Sequence, residues 1–146
     1  MIAADSLILP LLQGFFWFDD GLQAHLQARG WTEVTRPQSM VMTNVVVGVQ
    51  KPSEIARNLG VSRQSIHTTI NQMVEKGILE LVDDPEDGRA KIVTLSEVGQ
   101  QMRADANQAM EGMVDLLRRR IGARSVDAMI RAFHADWGEP PLPPPR

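Results

Sequence analysis

Apolar residues recur at every third or fourth position over the first thirty residues, which predicts an amphipathic helix there. Pro10 lies near the start of this segment, and Gly14 and Gly21 lower its helix propensity. The helix is therefore expected either to have a kink or to start late. Gly30 is expected to end the helix. Its apolar surface is wide enough to need two neighbours, or a neighbour and a partner chain. The recurring positions are Leu7, Leu11, Phe15, Phe18, Leu22 and Leu26.

Apolar residues at every third or fourth position also predict two helices after residue 96, and a proline-rich tail follows them. Ser96 is the expected N-cap of a helix of about 24 residues. Its arginine run at 118–120 suits the negative C-terminal pole of a helix, with a phosphate contact as the alternative. Gly122 breaks this helix, and Ser125 is expected to cap the next. The five prolines of residues 139–146 predict an extended or disordered tail, with a proline-motif ligand as the alternative. The last helix carries a stripe of Val126, Met129, Ile130, Phe133 and Trp137.

Three further helices are predicted between the first helix and the long one. Thr35 and Gln38 have the spacing of a capping box, although the valine run at 45–47 leaves a short strand as the alternative to a helix. Pro52 suits the first position of the next helix, and Gly60 can end it in a left-handed conformation. Ser62 is a good N-cap for the third helix, which Gly77 closes. Its buried face is expected to be Ile66, Ile70, Met73 and Val74.

A β-hairpin is predicted after this third helix. Residues 78–82 and 91–95 have the composition of short strands, and the Asp, Pro and Gly residues between them mark a turn. Helix, turn, helix and hairpin is the order of a winged helix-turn-helix.

The face of the third helix opposite its apolar stripe is polar. Such side chains can exchange hydrogen bonds with base edges, and they cluster in the first half of the helix, as in a recognition helix placed in the major groove. A solvated polar face is the plain alternative. The residues are Arg63, Gln64, His67, Thr68 and Asn71.

Several motifs in register resemble the MarR family of bacterial transcriptional regulators. The wing signature is Asp87-Gly-Arg89 followed by residues 93–99, and further matches lie at residues 53–56, 59–63 and 74–79. The resemblance is close over residues 51–99 and only architectural elsewhere. It implies a mainly α fold with a small β-hairpin, in which a winged helix-turn-helix at 35–96 is flanked by dimerisation helices at 1–34 and 97–138. Residues 139–146 would form a flexible tail of this single 1–146 domain.

The resemblance also implies partners and site residues. The partners are double-stranded DNA, a second copy of the chain and a small aromatic or amphipathic effector. In the family, Asp87 holds the wing in shape. The expected effector pocket includes Phe15, Phe16 and Phe18, although plain core or dimer packing is the alternative for them. The expected DNA contacts are Ser62, Arg63, Gln64, Ser65, His67, Thr68 and Asn71 in the recognition helix, and Asp87, Arg89 and Lys91 in the wing.

Charge and composition narrow the choice of function. The net charge is −3, and residues 51–95 carry six basic against seven acidic side chains, so DNA binding is expected to be salt-sensitive and base-dependent. The chain has no cysteine, which excludes thiol chemistry and disulfides. No segment is long and apolar enough for a membrane span, and no secretory signal is evident, so a cytoplasmic location is expected. No metal-ligand spacing, phosphate loop or nucleophile elbow is found, so neither a cofactor nor an enzyme is expected.

Two functions from different classes fit these observations. The first is a dimeric regulator, expected to be a repressor, that binds a pseudo-palindromic operator and is released by a small-molecule effector. The second is a winged-helix module for protein–protein interaction that does not read DNA, which the acidic wing favours.

Overall fold

The computed structural model describes residues 3–145 and has the mainly α architecture with one hairpin that the sequence predicts. Residues 1 and 2 of the predicted segment 1–34, and residue 146 of the predicted segment 139–146, lie outside the described residues. The chain forms two compact units, one up to Met110 and one from Glu111. A 3₁₀ turn at Ala4–Ser6 precedes α1 (Ile8–Ala28), α2 (Arg36–Val46), α3 (Pro52–Leu59), α4 (Arg63–Glu75), β1 (Leu79–Asp83), β2 (Lys91–Leu95), α5 (Glu97–Ile121) and α6 (Ala123–His134).

The core of the first unit lies under α4. The predicted stripe is confirmed for Ile66, Ile70 and Met73, which are buried, while Val74 is only partly buried. These side chains share one cluster with the buried residues of α2, α3 and β2, so burial of apolar surface fixes which face of α4 points to solvent. The cluster also contains Val41, Ile55, Ala56, Ile78, Leu79, Val93 and Met102.

Local capping sets where the helices of the first unit begin. The Thr35 hydroxyl accepts from the Gln38 backbone N–H and the Gln38 side chain accepts from the Thr35 N–H, so the predicted capping box is confirmed. The segment it opens is a helix and not a strand, because this cap and the packing of α2 outweigh the low helix propensity of its valines. Gly60 ends α3 with φ 65°, and the Ser62 side chain caps α4, both as predicted.

The wing is a two-stranded antiparallel hairpin. Its register pairs Leu79 with Leu95 and Asp83 with Lys91, and β1 starts one residue later than predicted. The Val93 N–H donates to the Gln50 carbonyl (2.9 Å), which attaches the hairpin to the loop before α3. The hairpin therefore sits at a defined position beside the helix-turn-helix.

Helix α1 starts late, at Ile8, which was one of the two predicted outcomes for a segment that contains Pro10. Leu7, Ile8 and Leu9 before and at its start are exposed, whereas Leu26 near its end is in the core. This end is tied to α5 inside the first unit, because the Arg29 guanidinium lies 2.7 Å from Asp105.

The second unit corrects one predicted cap. Helix α6 begins at Ala123 with Gly122 as its N-cap, so Ser125 lies within its first turn and does not cap it. Gly122 separates α5 from α6 and has φ 93°, a conformation that favours glycine. Helix α6 therefore starts without a side-chain cap. Of the predicted stripe only Val126 is buried, and Trp137 lies beyond the helix, 5.6 Å from the Phe133 ring.

Arg118 ties the end of α5 to α6 within the second unit. Its guanidinium lies 2.9 Å from Asp127 and 3.0 Å from Asp115. Hydrogen bonding to Asp127, and secondarily to Asp115, raises the pKa of Arg118 above its already high ordinary value. The Arg118 guanidinium is therefore paired within the protein and is not free to bind a phosphate.

Among residues 3–145, no helix is both long and apolar enough to cross a membrane.

Candidate nucleic-acid interface

The outer face of α4 is exposed, and most of its polar side chains have no hydrogen-bond partner among the described residues. Arg63, Gln64, His67 and Asn71 are all exposed, and none of these side chains makes a hydrogen bond or ion pair with another residue of the described part. Most side-chain hydrogen bonds of proteins go to the backbone or to water, so these exposed groups are hydrated. These donors and acceptors are available to an external ligand.

The hydroxyl groups on the same face are partly engaged. Ser62 Oγ accepts from the Ser65 backbone N–H (3.1 Å), and Thr68 Oγ1 donates to the Gln64 carbonyl (3.0 Å). A hydroxyl whose hydrogen is donated inside the helix can still accept one. Ser62 therefore caps the start of α4 and keeps its O–H free to donate, while Thr68 keeps a lone pair that can accept. Ser65 lies exposed between them.

The loop between the two strands is held by its own aspartates. The Asp87 carboxylate accepts from the Arg89 backbone N–H (3.1 Å), and the buried Asp84 carboxylate accepts from the Glu86 N–H (2.9 Å). The Asp87 carboxylate thus bonds the backbone of residue 89. No side-chain ion pair between Asp87 and Arg89 forms, so the Arg89 guanidinium is exposed without a partner among residues 3–145.

Lys91 differs from Arg89 in its surroundings. Its ammonium group forms an ion pair with Asp83, the residue opposite it across the hairpin. An exposed pair of this kind contributes little to stability, but it lowers the local positive charge. Lys51 and Arg57 are exposed cations near the helix-turn-helix and, like Arg63 and Arg89, have no ion-pair partner among the described residues.

One polar cluster of this region was not found by sequence reasoning. Gln38 is buried, and its side chain bonds both Gln72 of α4 and Lys76 directly after it. The capping-box pattern places Gln38 at the start of α2, but it contains no information on contacts 34 and 38 residues away. Only the packing of α2 against α4 brings these side chains together.

A cavity of about 210 Å³ lies in the first unit between α1, α2 and the first half of α5. Its wall is mainly apolar, and Arg103 contributes a partly buried cation. The predicted pocket residues Phe15, Phe16 and Phe18 do not line it. They lie earlier on α1, where Phe16 packs under the Arg36 guanidinium, 4.1 Å from its ring centre. The lining residues include Leu22, Leu26, Met42, Val46, Met102 and Ala106.

Asp105 lies between the cavity-lining residues Arg103 and Ala106 in the sequence, and its pKa is shifted. Donation from the Trp31 indole N–H (2.7 Å) lowers the pKa of Asp105 below its ordinary value, and the Arg29 guanidinium acts in the same direction against desolvation. Both partners come from the end of α1 and the segment after it. Asp105 is therefore held as a carboxylate that joins this segment to α5.

In the described part of the chain, no three His, Cys, Asp or Glu side chains come together as a metal-binding group.

The sequence of the winged helix matches the model of one known protein family. A model described as "MarR family" matches residues 32–90, which covers α2, α3, α4, β1 and the wing loop. Over these residues the chain is similar to the MarR family. The resemblance inferred from the sequence motifs is thereby confirmed. Family and fold are those of transcription regulators, not of enzymes.

Solved structures of transcriptional regulators share the fold over most of the chain. The transcriptional regulator PA4135 is 22% identical with a TM-score of 0.69, covering 87% of this chain and 92% of its own. Apo MarR from E. coli is 21% identical with a TM-score of 0.67, covering 91% and 96%. PcaV from Streptomyces coelicolor, in complex with its natural ligand, is 18% identical with a TM-score of 0.60, covering 91% and 94%. No curated protein sequence matches the chain.

Proposed function

We propose that this MarR-family chain is a homodimeric transcription regulator, and specifically a repressor, that binds a pseudo-palindromic operator. The observation that carries the proposal is the outer face of α4. Its Arg63, Gln64, His67 and Asn71 side chains are exposed and lack internal partners, on a helix whose opposite face is locked into the core. This arrangement suits direct readout of base edges in the major groove.

The wing would add a second contact on each side. Arg89 projects from a loop that Asp87 holds in shape, and a guanidinium there suits a narrow minor groove of negative potential. Lys91 would contribute less than Arg89, because Asp83 already pairs with it. The remaining contacts, at Ser62, Ser65 and Thr68, would orient α4, with the Ser62 hydroxyl as a donor and the Thr68 hydroxyl as an acceptor.

Exposed apolar surface supports the homodimer. In the first unit Leu7, Ile8 and Leu9 are 59%, 79% and 60% exposed, and in the second unit Phe133 and Trp137 are 52% and 65% exposed. Contiguous apolar side chains of this size usually mark an interaction site. A symmetric dimer would place two recognition helices about 34 Å apart, one turn of DNA, and would double the few free cations of one chain.

The cavity supports release by a small-molecule effector. Cavities of ~150 Å³ admit a single aromatic ring, and this one has an apolar wall with Arg103 at its edge. We therefore propose an amphipathic anion as effector, with its acidic group at Arg103. The similar PcaV structure is a complex with its natural ligand, which supports a ligand-responsive regulator here.

Selection of duplexes from random DNA, followed by titration at several salt concentrations, tests this function. We expect an enriched inverted repeat, with a steep fall of affinity as salt rises. The variant Arg63→Ala should lose at least about fivefold in affinity, since one bidentate base contact is worth ~1–3 kcal/mol. The matched control Arg124→Ala removes an exposed arginine of α6 and should leave affinity unchanged. Absence of any sequence preference at low salt would refute the proposal.

A protein–protein interaction module remains the second candidate, because the wing loop is acidic. Asp83, Asp84, Glu86 and Asp87 lie within five residues of one another, and residues 51–95 have one more acidic than basic side chain. Under this alternative no duplex is enriched, and charge reversal at Glu86 changes partner binding while Arg63→Ala does not.

A further inference from the structure

Gln38 is the most connected side chain between α2 and the recognition helix. It is only 3% exposed. Its Oε1 accepts from the Thr35 N–H (3.1 Å) and from Lys76 Nζ (2.8 Å), and its Nε2 donates to Gln72 Oε1 (3.0 Å). One buried amide therefore closes the cap of α2 and holds two residues at the end of α4.

We propose that Gln38 is a positioning residue for DNA readout: it sets the orientation of α4 and withdraws Lys76 from the DNA. This inference rests on the proposed function. Gln38 does not touch DNA in this proposal. It acts through Gln72 and Lys76, which lie near the end of α4 opposite to the residues expected to meet the bases.

The geometry of a helix explains why this end matters. From Arg63 to Glu75 α4 is about 18 Å long, so a tilt of ~5° about its far end displaces the base-reading end by ~1.5 Å. A hydrogen bond tolerates only a few tenths of an ångström in donor–acceptor distance. Removal of the hydrogen bonds at Gln72 and Lys76 would therefore weaken base contacts more than contacts with phosphates, which mobile side chains can follow.

Lys76 is satisfied inside the protein. Its ammonium group donates to the Glu33 carbonyl (2.7 Å) as well as to Gln38. A lysine with two internal acceptors has little reason to replace a counterion on DNA. Lys76 would therefore leave the salt dependence of DNA binding unchanged, in contrast to an unpartnered cation such as Arg63.

The start of α2 is anchored on its other side as well. Ser39 Oγ donates to Asp19 Oδ1 (2.8 Å), and Arg36 Nε lies 3.0 Å from the second oxygen of this carboxylate, which is 6% exposed. Residues 38 and 39 thus bond α4 and α1 respectively. Gln38 can set the orientation of α4 because α2 itself is held by α1.

The test compares Gln38→Leu with Gln38→Glu and with the control Gln101→Leu, which changes an exposed glutamine of α5. The carboxylate of Gln38→Glu can accept from the Thr35 N–H, from Lys76 and from Gln72 after its amide turns over. It should therefore behave like the parent. The measured quantities are affinity for the selected duplex and for a scrambled duplex, and hydrogen exchange of α4 amides without DNA.

Gln38→Leu is expected to lose about tenfold in affinity for the selected duplex but less than twofold for the scrambled one, and to speed exchange in α4. Gln38→Glu and Gln101→Leu should stay within twofold of the parent on both duplexes. Equal losses on both duplexes, or failure of Gln38→Glu to restore binding, would overturn the proposal. A merely structural role would lower the unfolding midpoint without changing the ratio of the two affinities.

A second variant covers the case in which Gln38→Leu does not fold. The double change Gln72→Ala, Lys76→Met removes the same bonds from exposed positions of the α4 segment, and it should lower the ratio of affinities equally while leaving the salt slope unchanged. If the parent itself prefers no sequence, the proposed function fails. Unchanged α4 hydrogen exchange in both variants rejects the positioning role independently of DNA.

Discussion

Gly99, the third residue of α5, lies against the carbonyl of Ile78: a Cβ at this position would be 2.1 Å from the Ile78 oxygen. The same carbonyl accepts from the Ser96 N–H (3.0 Å), while Ser96 Oγ accepts from the Gly99 N–H (3.0 Å). The turn after α4 and the start of α5 are therefore joined backbone to backbone, with no room for a side chain between them.

Gly99→Ala should destabilise the protein, because either the Ile78 backbone or the start of α5 must move. We expect the free energy of unfolding to fall by about 2–4 kcal/mol, measured by urea denaturation. The matched control is Gly112→Ala in the same helix, where apart from the helix's own nearby backbone no described atom lies within 4 Å of the added Cβ. That change should raise the free energy of unfolding by up to ~1 kcal/mol, since alanine has the higher helix propensity. Equal effects of the two changes would contradict the close approach.

Arg89→Ala should weaken operator binding without affecting the fold. The loop is held by the Asp87 carboxylate on the backbone of residue 89, which the change leaves in place, so stability should stay within ~0.5 kcal/mol. The slope of log K against log salt should flatten by about one unit for each arginine–phosphate interaction that the change removes, hence by about two for a dimer. Fluorescence anisotropy across a salt series measures both the affinity and the slope. An unaltered slope would mean that the wing does not touch DNA.

Asp105→Asn should alter the pH dependence of stability. The folded-state pKa of Asp105 is lowered, first by the Trp31 indole and then by Arg29, so its contribution is present above the ordinary value of 3.8 and is lost as pH falls through the folded-state pKa. The parent should exceed Asp105→Asn in melting temperature at pH 6 to 7, and the gap should close in acid. Glu111→Gln, an exposed change on the same helix, serves as control. A gap that is the same from pH 3 to pH 7 would exclude titration of Asp105 as its cause.

Arg103→Met tests the proposed effector site. If an amphipathic anion binds in the cavity, an aryl carboxylate such as benzoate should raise the melting temperature of the parent, in proportion to RT ln(1 + [L]/Kd). This rise should vanish in Arg103→Met and persist in part in Arg103→Lys, which keeps the positive charge. An equal rise in all three proteins would place the anion elsewhere.

The local elements of this protein were predictable because their signals are short-range. The Thr35 capping box, the left-handed Gly60, the Ser62 cap and the Ile66–Ile70–Met73 stripe each depend on residues within one or two helical turns, and each is confirmed. The motifs at residues 53–99 similarly predicted the family. The Ser125 cap was wrong because a glycine at the preceding break can start a helix by its backbone alone.

The sequence by itself determined which helices form, where the hairpin lies and which face of α4 is polar. Only the tertiary structure decided which polar groups on that face remain free, that Lys91 is paired with Asp83 while Arg89 has no described partner, and that the cavity is lined near Arg103 and not by the phenylalanines. It also placed Gln38 beside Gln72 and Lys76. These features depend on contacts between residues far apart in the chain, and helical periodicity describes each helix alone without specifying which surfaces of two helices meet.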